Sequence, residues 1–282
     1  MLERLYNIEL VKKKPYIAFF LGLVYSIIGI GIATILFKKD PAIVTVAITA
    51  LLLYPTIKGL VGREIGLLSK TKIKNPKLIN HTRLILIYLL IFLGVMMGFS
   101  LFSIMLPSLA TNTLFQNQLG VLYSSVGGAT AFNSGLFMTL FMHNLVVLGL
   151  AFIMAFFIGD GAIFLLVWNA SVWGTIFGNL AKTSALAGAL NPLIIFGIIL
   201  VIVLPHTLLE GLAYIFSAIS GGVVSRSVIS EKKANKKIIL IRNAITILAI
   251  AIAVLVLAVF IEQYVLMNSG LYINIIGLSG LV

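Results

Sequence analysis

Seven times along the chain a predominantly apolar run recurs that reaches the roughly 20 residues a helix needs to cross a hydrocarbon core of about 30 Å. The runs lie at 15–37, 41–60, 84–106, 135–157, 162–180, 192–224 and 244–267. A backbone in lipid has no water to satisfy its N–H and C=O groups, so runs of this kind fold as helices. The expected fold is therefore all-α, a polytopic transmembrane bundle of about seven spans. A hydrophobic content of 61% against 10% charged residues, with mean hydropathy +1.16, excludes a soluble globular domain. The first run, Pro15 to Phe37, follows a polar, basic start and no small-residue cleavage site closes a short core, so it reads as an anchor. No cysteine occurs, which excludes disulfides, thiolate metal sites and cysteine nucleophiles. One integral membrane domain, 1–282, accounts for the whole pattern, its first helical hairpin at 15–60, with no repeat visible at 20–50 residues.

Charge supplies an independent check on this map. Counted from an N-terminus inside, the cytoplasmic segments hold 17 of the 20 lysines and arginines: four in 4–14, seven in 58–83 and six in 226–242. Only Lys38, Lys39 and Lys182 fall elsewhere. By the positive-inside rule the chain is expected in a cell membrane, N-terminus in the cytoplasm and C-terminus outside. The formal charge of +12 is then a topology signal, aided by anionic headgroups at about 1 kcal/mol per basic residue near the surface. Nucleic acid is not an expected partner, since the basic residues are spread over three loops with no stacking module beside them.

Against this apolar background, the pair His206 and Glu210 in Leu204-Pro205-His206-Thr207-Leu208-Leu209-Glu210 stands out. A carboxylate at a helix centre is roughly 2.5–3.5 kcal/mol uphill on insertion scales, which makes it a site hypothesis with a partner to be found. Within the spans the other ionisable candidates are His143 and Glu262; His81 lies in a basic loop and reads as a solvated side chain. His143 is about nine residues into its span, and Glu262 about five from the outer end of the last one, at 1.5 Å per residue. Both are expected in the outer half of the bilayer. The sixth run is too long for a simple span: Asn191 to Val224 would extend about 50 Å as a helix. Pro205 removes a donor in its middle, so a kink or break is expected just before His206. Broken helices in membranes are buried in protein or line a wet cavity, which is also where a polar site belongs.

His206 and Glu210 at i and i+4 share one helix face. With His143 or Glu262 imported from other helices they would make a set resembling a hydrolytic zinc site. In that set His143, His206, Glu210 and Glu262 serve as ligands, and Glu210 with His206 carries the acid–base chemistry. This is a weaker signal than His-Glu-x-x-His, which supplies both histidines from one turn. The bland alternative is a hydrogen-bonded polar cluster that also engages Asn144 and Asn169 beside Pro205, at about 0.6 kcal/mol per bond. Phosphate-binding, dinucleotide and serine-elbow motifs are missing from the sequence. Gly94-x-x-x-Gly98 and Gly174-x-x-x-Gly178 suit close helix packing. A secondary transporter is a lesser reading, favoured by a midplane carboxylate and opposed by the lack of a repeat. The uncharged segment 107–134 is long for a loop without charge and is expected to be a partner-binding, lid-like, re-entrant or interfacial piece.

His143-Asn144 opening one span, Asn169 in the next, Pro205-His206-x-x-x-Glu210 and Glu262 in the last together resemble the stage II sporulation protein M family, including its archaeal members. The resemblance covers about 80–267. The family form has glycine after the histidine and after the asparagine of the next span, where this chain has Thr207 and Ala170. It implies a polytopic membrane protein, and in spore formers a membrane scaffold that holds cell-wall-degrading enzymes during engulfment. What carries over is an expected scaffold role in cell-envelope or membrane remodelling. Its expected partners are membrane lipid, other envelope proteins and further copies of the chain. The other reading is an intramembrane hydrolase with zinc or another divalent transition metal.

Overall fold

The computed structural model describes residues 8–37, 41–70, 82–125, 134–159, 162–188, 190–229 and 234–279. The described residues form helices only. Seven of these are long and apolar enough to span: α2 (Tyr16–Leu36), α3 (Pro41–Lys70), α4 (Thr82–Met105), α7 (Ser134–Ile158), α8 (Ala162–Gly188), α9 (Pro192–Ile229) and α10 (Ala234–Asn268). Four short helices complete the described residues: α1 (Ile8–Lys13), α5 (Ser108–Leu114), α6 (Gln116–Ser125) and α11 (Gly270–Leu278). The seven expected spans are all present as helices, and the chain is an all-α, multi-pass membrane protein.

Helix ends follow local chemistry. Asn191 caps α9 by accepting the Leu193 N–H at 2.9 Å, with Pro192 at the first helical position, where its missing donor costs nothing. Ser269 does the same for α11, accepting from Tyr272. Gly159, at φ 65°, ends α7 in the left-handed conformation that suits glycine.

The helices fall into two groups around α9. In the first, α2, α4 and α8 run parallel, with α3 antiparallel to α2, and glycines let the backbones touch. Gly94 meets Phe19 and Gly174 meets the Met96 carbonyl, and a β-carbon on Gly178 would stand 2.6 Å from the Ser100 carbonyl oxygen. Both small-residue patterns noted in the sequence are thus helix contacts. Ser103 adds a bond across the seam, donating to the Thr175 carbonyl at 3.0 Å. In the second group α9 packs against α7 and α10 through small polar residues: Ser217 donates to the Leu148 carbonyl and Ser220 to the Ala244 carbonyl, each at 2.7 Å. One apolar core fills the first group, and a smaller one, with Leu148, Ala213, Ala251 and Leu255, fills the second.

Three expectations change. The sixth segment is not broken: α9 runs through Pro205, which lies exposed on its surface. Proline deprives only the Val201 carbonyl of its donor, and the Thr207 hydroxyl supports the next turn by donating to the Val203 carbonyl at 3.1 Å. The basic stretch at 225–243 is helical over 225–229 and 234–243, because α9 and α10 continue past the apolar runs and keep their backbone bonds. The uncharged segment is helical rather than a loop over Ser108–Leu114 and Gln116–Ser125, and packs into the bundle. Thr111, Leu114, Phe115, Gln118 and Leu119 are buried, and the Phe115 ring lies 5.5 Å from that of Phe99, well inside α4. Gln118 donates to the Ala42 carbonyl at 3.1 Å, and Lys182 bridges the Leu106 carbonyl at 3.1 Å and the Thr111 hydroxyl at 2.8 Å. The α5–α6 piece is therefore packed into the bundle, docked at the end where α2, α4 and α8 finish. Residues 126–133 and His81 lie outside the described residues.

Candidate functional site: a buried carboxyl pair

Glu210 lies near the middle of α9, 1% exposed. Its Oε1 accepts from the Asn144 amide on α7 at 3.1 Å, and Trp173 of α8 lies beside this carboxyl. The other end of Asn144 is used as well: its Oδ1 accepts the Tyr214 hydroxyl at 3.0 Å. Asn144 thus ties two turns of α9 to α7. On the remaining side, Glu262 of α10 brings its carboxyl within hydrogen-bonding reach of Glu210. Tyr272 of α11 closes the site above Glu262; burial pushes its hydroxyl well above the usual tyrosine range, and the Glu262 charge adds to this.

His206 sits one turn before Glu210 on the same face, 4% exposed, its ring edge-on to Trp173 at 6.2 Å between centroids. Its Nδ1 is buried without a partner, as are Oε2 of Glu210 and Oε2 of Glu262. No lysine or arginine among the described residues acts on either carboxyl. The site is thus rich in acceptors, poor in donors and has no counter-charge.

Of the residues singled out in the sequence, Glu210, Glu262 and Asn144 converge, and His206 lies one turn away on α9 against Trp173. Glu262, 8% exposed, is buried in spite of its place near the end of α10, because α11 packs beside it. His143 does not join them. Adjacent residues on a helix point about 100° apart, so burying Asn144 turns His143 to the outer surface of α7, where it is exposed. Asn169 is half-buried in a shallow cleft with Tyr88, Val147 and Tyr214, bonded to its own helix at the Leu165 carbonyl, 2.9 Å away. Among the described residues no three His, Cys, Asp or Glu side chains are placed to share a metal ion. The two-histidine set needed for a hydrolytic zinc site is not assembled, since His143 faces away from His206.

The sequence reading missed Tyr214, Trp173 and Tyr272. Tyr214 was legible, since His206, Glu210 and Tyr214 repeat at i, i+4 and i+8 and form one stripe.

Residues 84–265 match the model of the family described as stage II sporulation protein M. The chain belongs to this family. The matched region contains every helix that contributes to the carboxyl pair except α11, and it leaves the α2–α3 hairpin outside. No curated protein and no solved structure matches the chain.

Proposed function

We propose that this stage II sporulation protein M family member is a membrane scaffold for cell-envelope remodelling, and that its polar centre holds the scaffold in shape. The observation that carries the reading is the double engagement of Asn144, which joins Glu210 and Tyr214 and so fastens α7 to α9 beside the α10 contact. A hydrolase would need room for a substrate next to its acid and base. The cleft beside Tyr214 is instead walled by apolar residues such as Leu165 and Ile215, and neither His206 nor Glu210 lines it. In this reading the N-terminus is cytoplasmic, as the basic residues favour, and envelope partners meet the opposite end, where α5, α6 and α11 lie.

The test is elemental analysis of purified wild type beside Glu210→Gln, combined with site-specific photo-crosslinking from Leu109 of α5 in the native host. The scaffold reading expects no stoichiometric metal in either protein and crosslinks to discrete envelope proteins, weakened in Glu210→Gln. About one transition metal per chain, lost in Glu210→Gln while the protein still folds, would overturn it in favour of the metallohydrolase.

A further inference from the structure

Helix α7 carries a polar side chain on the side that the bundle leaves bare. With Asn144 buried, His143 faces outward, and it makes no hydrogen bond to any described residue. The apolar stretch of α7 runs from Phe137 to Ile158, so His143 stands six residues, about 9 Å, inside it. In a hydrocarbon core of about 30 Å that depth is acyl chain and not headgroup. Histidine lacks the long stem by which lysine and arginine return their polar ends to the interface. Ionisable side chains inside a membrane almost always face protein or water, and histidines there hydrogen-bond across helices. An outward His143 therefore calls for another helix against this face of α7.

The face has the pattern of a helix seam. Thr139, His143, Val146, Leu150, Ile153 and Phe157 are all exposed and follow one another in alternating steps of four and three. That is the spacing of the a and d positions of a coiled coil, whose crossing angle of about +20° is the usual one between membrane helices. Thr139 already donates its hydroxyl to the Gly135 carbonyl at 2.8 Å, which leaves His143 as the polar member in need of a partner. In a parallel pair of identical helices each seam position meets its own counterpart, and one polar residue at such a position fixes register and oligomeric state. Two copies inserted with the same orientation bring their histidines to the same depth, whereas a different protein would have to supply a matching polar group there. A neutral imidazole has one donor and one acceptor, so one His143 can donate to the other.

We propose that the outer face of α7 is the interface of a parallel homodimer, in which the His143 side chains of the two copies hydrogen-bond to each other within the membrane. The interface leaves the Asn144 side of the same helix to the buried carboxyl pair, so α7 joins the polar centre of one copy to the surface of the other. This goes beyond the scaffold reading and does not depend on it.

The experiment uses the full, cysteine-free chain with single cysteines introduced, oxidised in the membranes of cells that express it. His143→Cys and Val146→Cys are expected to give a disulfide-linked species of two chains; Leu51→Cys, exposed on α3, is not. Wild type and His143 variants are then labelled at an introduced cytoplasmic cysteine, and their association is measured by energy transfer in phosphatidylcholine–phosphatidylglycerol liposomes. His143→Leu, an outward substitution that removes no bond within the chain, should weaken association by about three- to twenty-fold, the worth of one hydrogen bond between membrane helices. His143→Gln, which keeps a donor and an acceptor, should restore most of it. Absence of a two-chain species from both α7 cysteines, linkage of Leu51→Cys as efficient as theirs, or linkage of His143→Cys to a different protein alone overturns the proposal. Association that His143→Leu leaves unchanged or strengthens overturns it as well, since an apolar seam without a polar pair behaves in that way.

Discussion

Replacing Asn144 by leucine removes two bonds at once, because its amide donates to Glu210 at 3.1 Å and its carbonyl oxygen accepts from Tyr214 at 3.0 Å. Hydrogen bonds between membrane helices average about 0.6 kcal/mol and reach about 1.7 kcal/mol. Loss of the pair should therefore cost about 1–3 kcal/mol, toward the upper end because Glu210 stays buried with one donor fewer. Tyr214→Phe removes only the second bond and should cost about 0.6 kcal/mol. If both residues act through the same contact, the double variant costs less than the two single costs together, with a coupling of about 0.5 kcal/mol or more. Reversible unfolding in mixed micelles, or steric trapping in bicelles, measures all four proteins. Strict additivity would refute the argument, since it would mean that the Asn144–Tyr214 contact contributes nothing.

Gly174→Leu should separate α4 from α8 and abolish monodisperse protein in size-exclusion chromatography, because any side chain there meets the Met96 backbone; Gly197→Leu, with open space around it, should behave as wild type. Lys182→Met should leave the thermal midpoint within a few degrees, because a charge without a partner carboxylate is removed with its bonds. It should nevertheless speed amide hydrogen exchange in α5, which loses the bond from Lys182 to Thr111. Because the chain has no cysteine, Leu109→Cys and Ile229→Cys report topology without background. Both positions are strongly exposed at opposite ends of the bundle. An impermeant maleimide should label the first on intact cells and the second only after permeabilisation, and the reverse pattern would invert the membrane orientation.

Much of the architecture was legible in the sequence because the bilayer leaves so few choices. Apolar runs of sufficient length must be helices, and all seven were found within a few residues of their expected bounds except where α3, α8, α9 and α10 continue beyond the apolar stretch. The core of the site was legible too, since intramembrane His206 and Glu210 need partners. Which polar residues supply them was harder to read. Helix α7 is apolar all round, so nothing in its sequence says whether His143 or Asn144 faces inward. The burial of Glu262 was not legible, because counting from a helix end takes no account of α11, which packs beside it. The α5–α6 piece was ambiguous for a similar reason: uncharged residues with scattered glycine and serine suit a loop, an interfacial helix or a re-entrant one. That Gln118 is buried and Lys182 reaches this piece, packing it against the bundle, is visible only in three dimensions.

The claim on which the rest depends is that Glu262, and not His143, faces Glu210. In this cysteine-free chain, cross-linking with a short bifunctional thiol reagent in native membranes tests it directly. Glu210→Cys paired with Glu262→Cys should give an intramolecular cross-link, as should the control pair Ser217→Cys and Leu148→Cys, whose parent residues are in contact. Glu210→Cys paired with His143→Cys should not. A cross-link from position 210 to position 143 but not to position 262, with the control pair linked, would contradict the account.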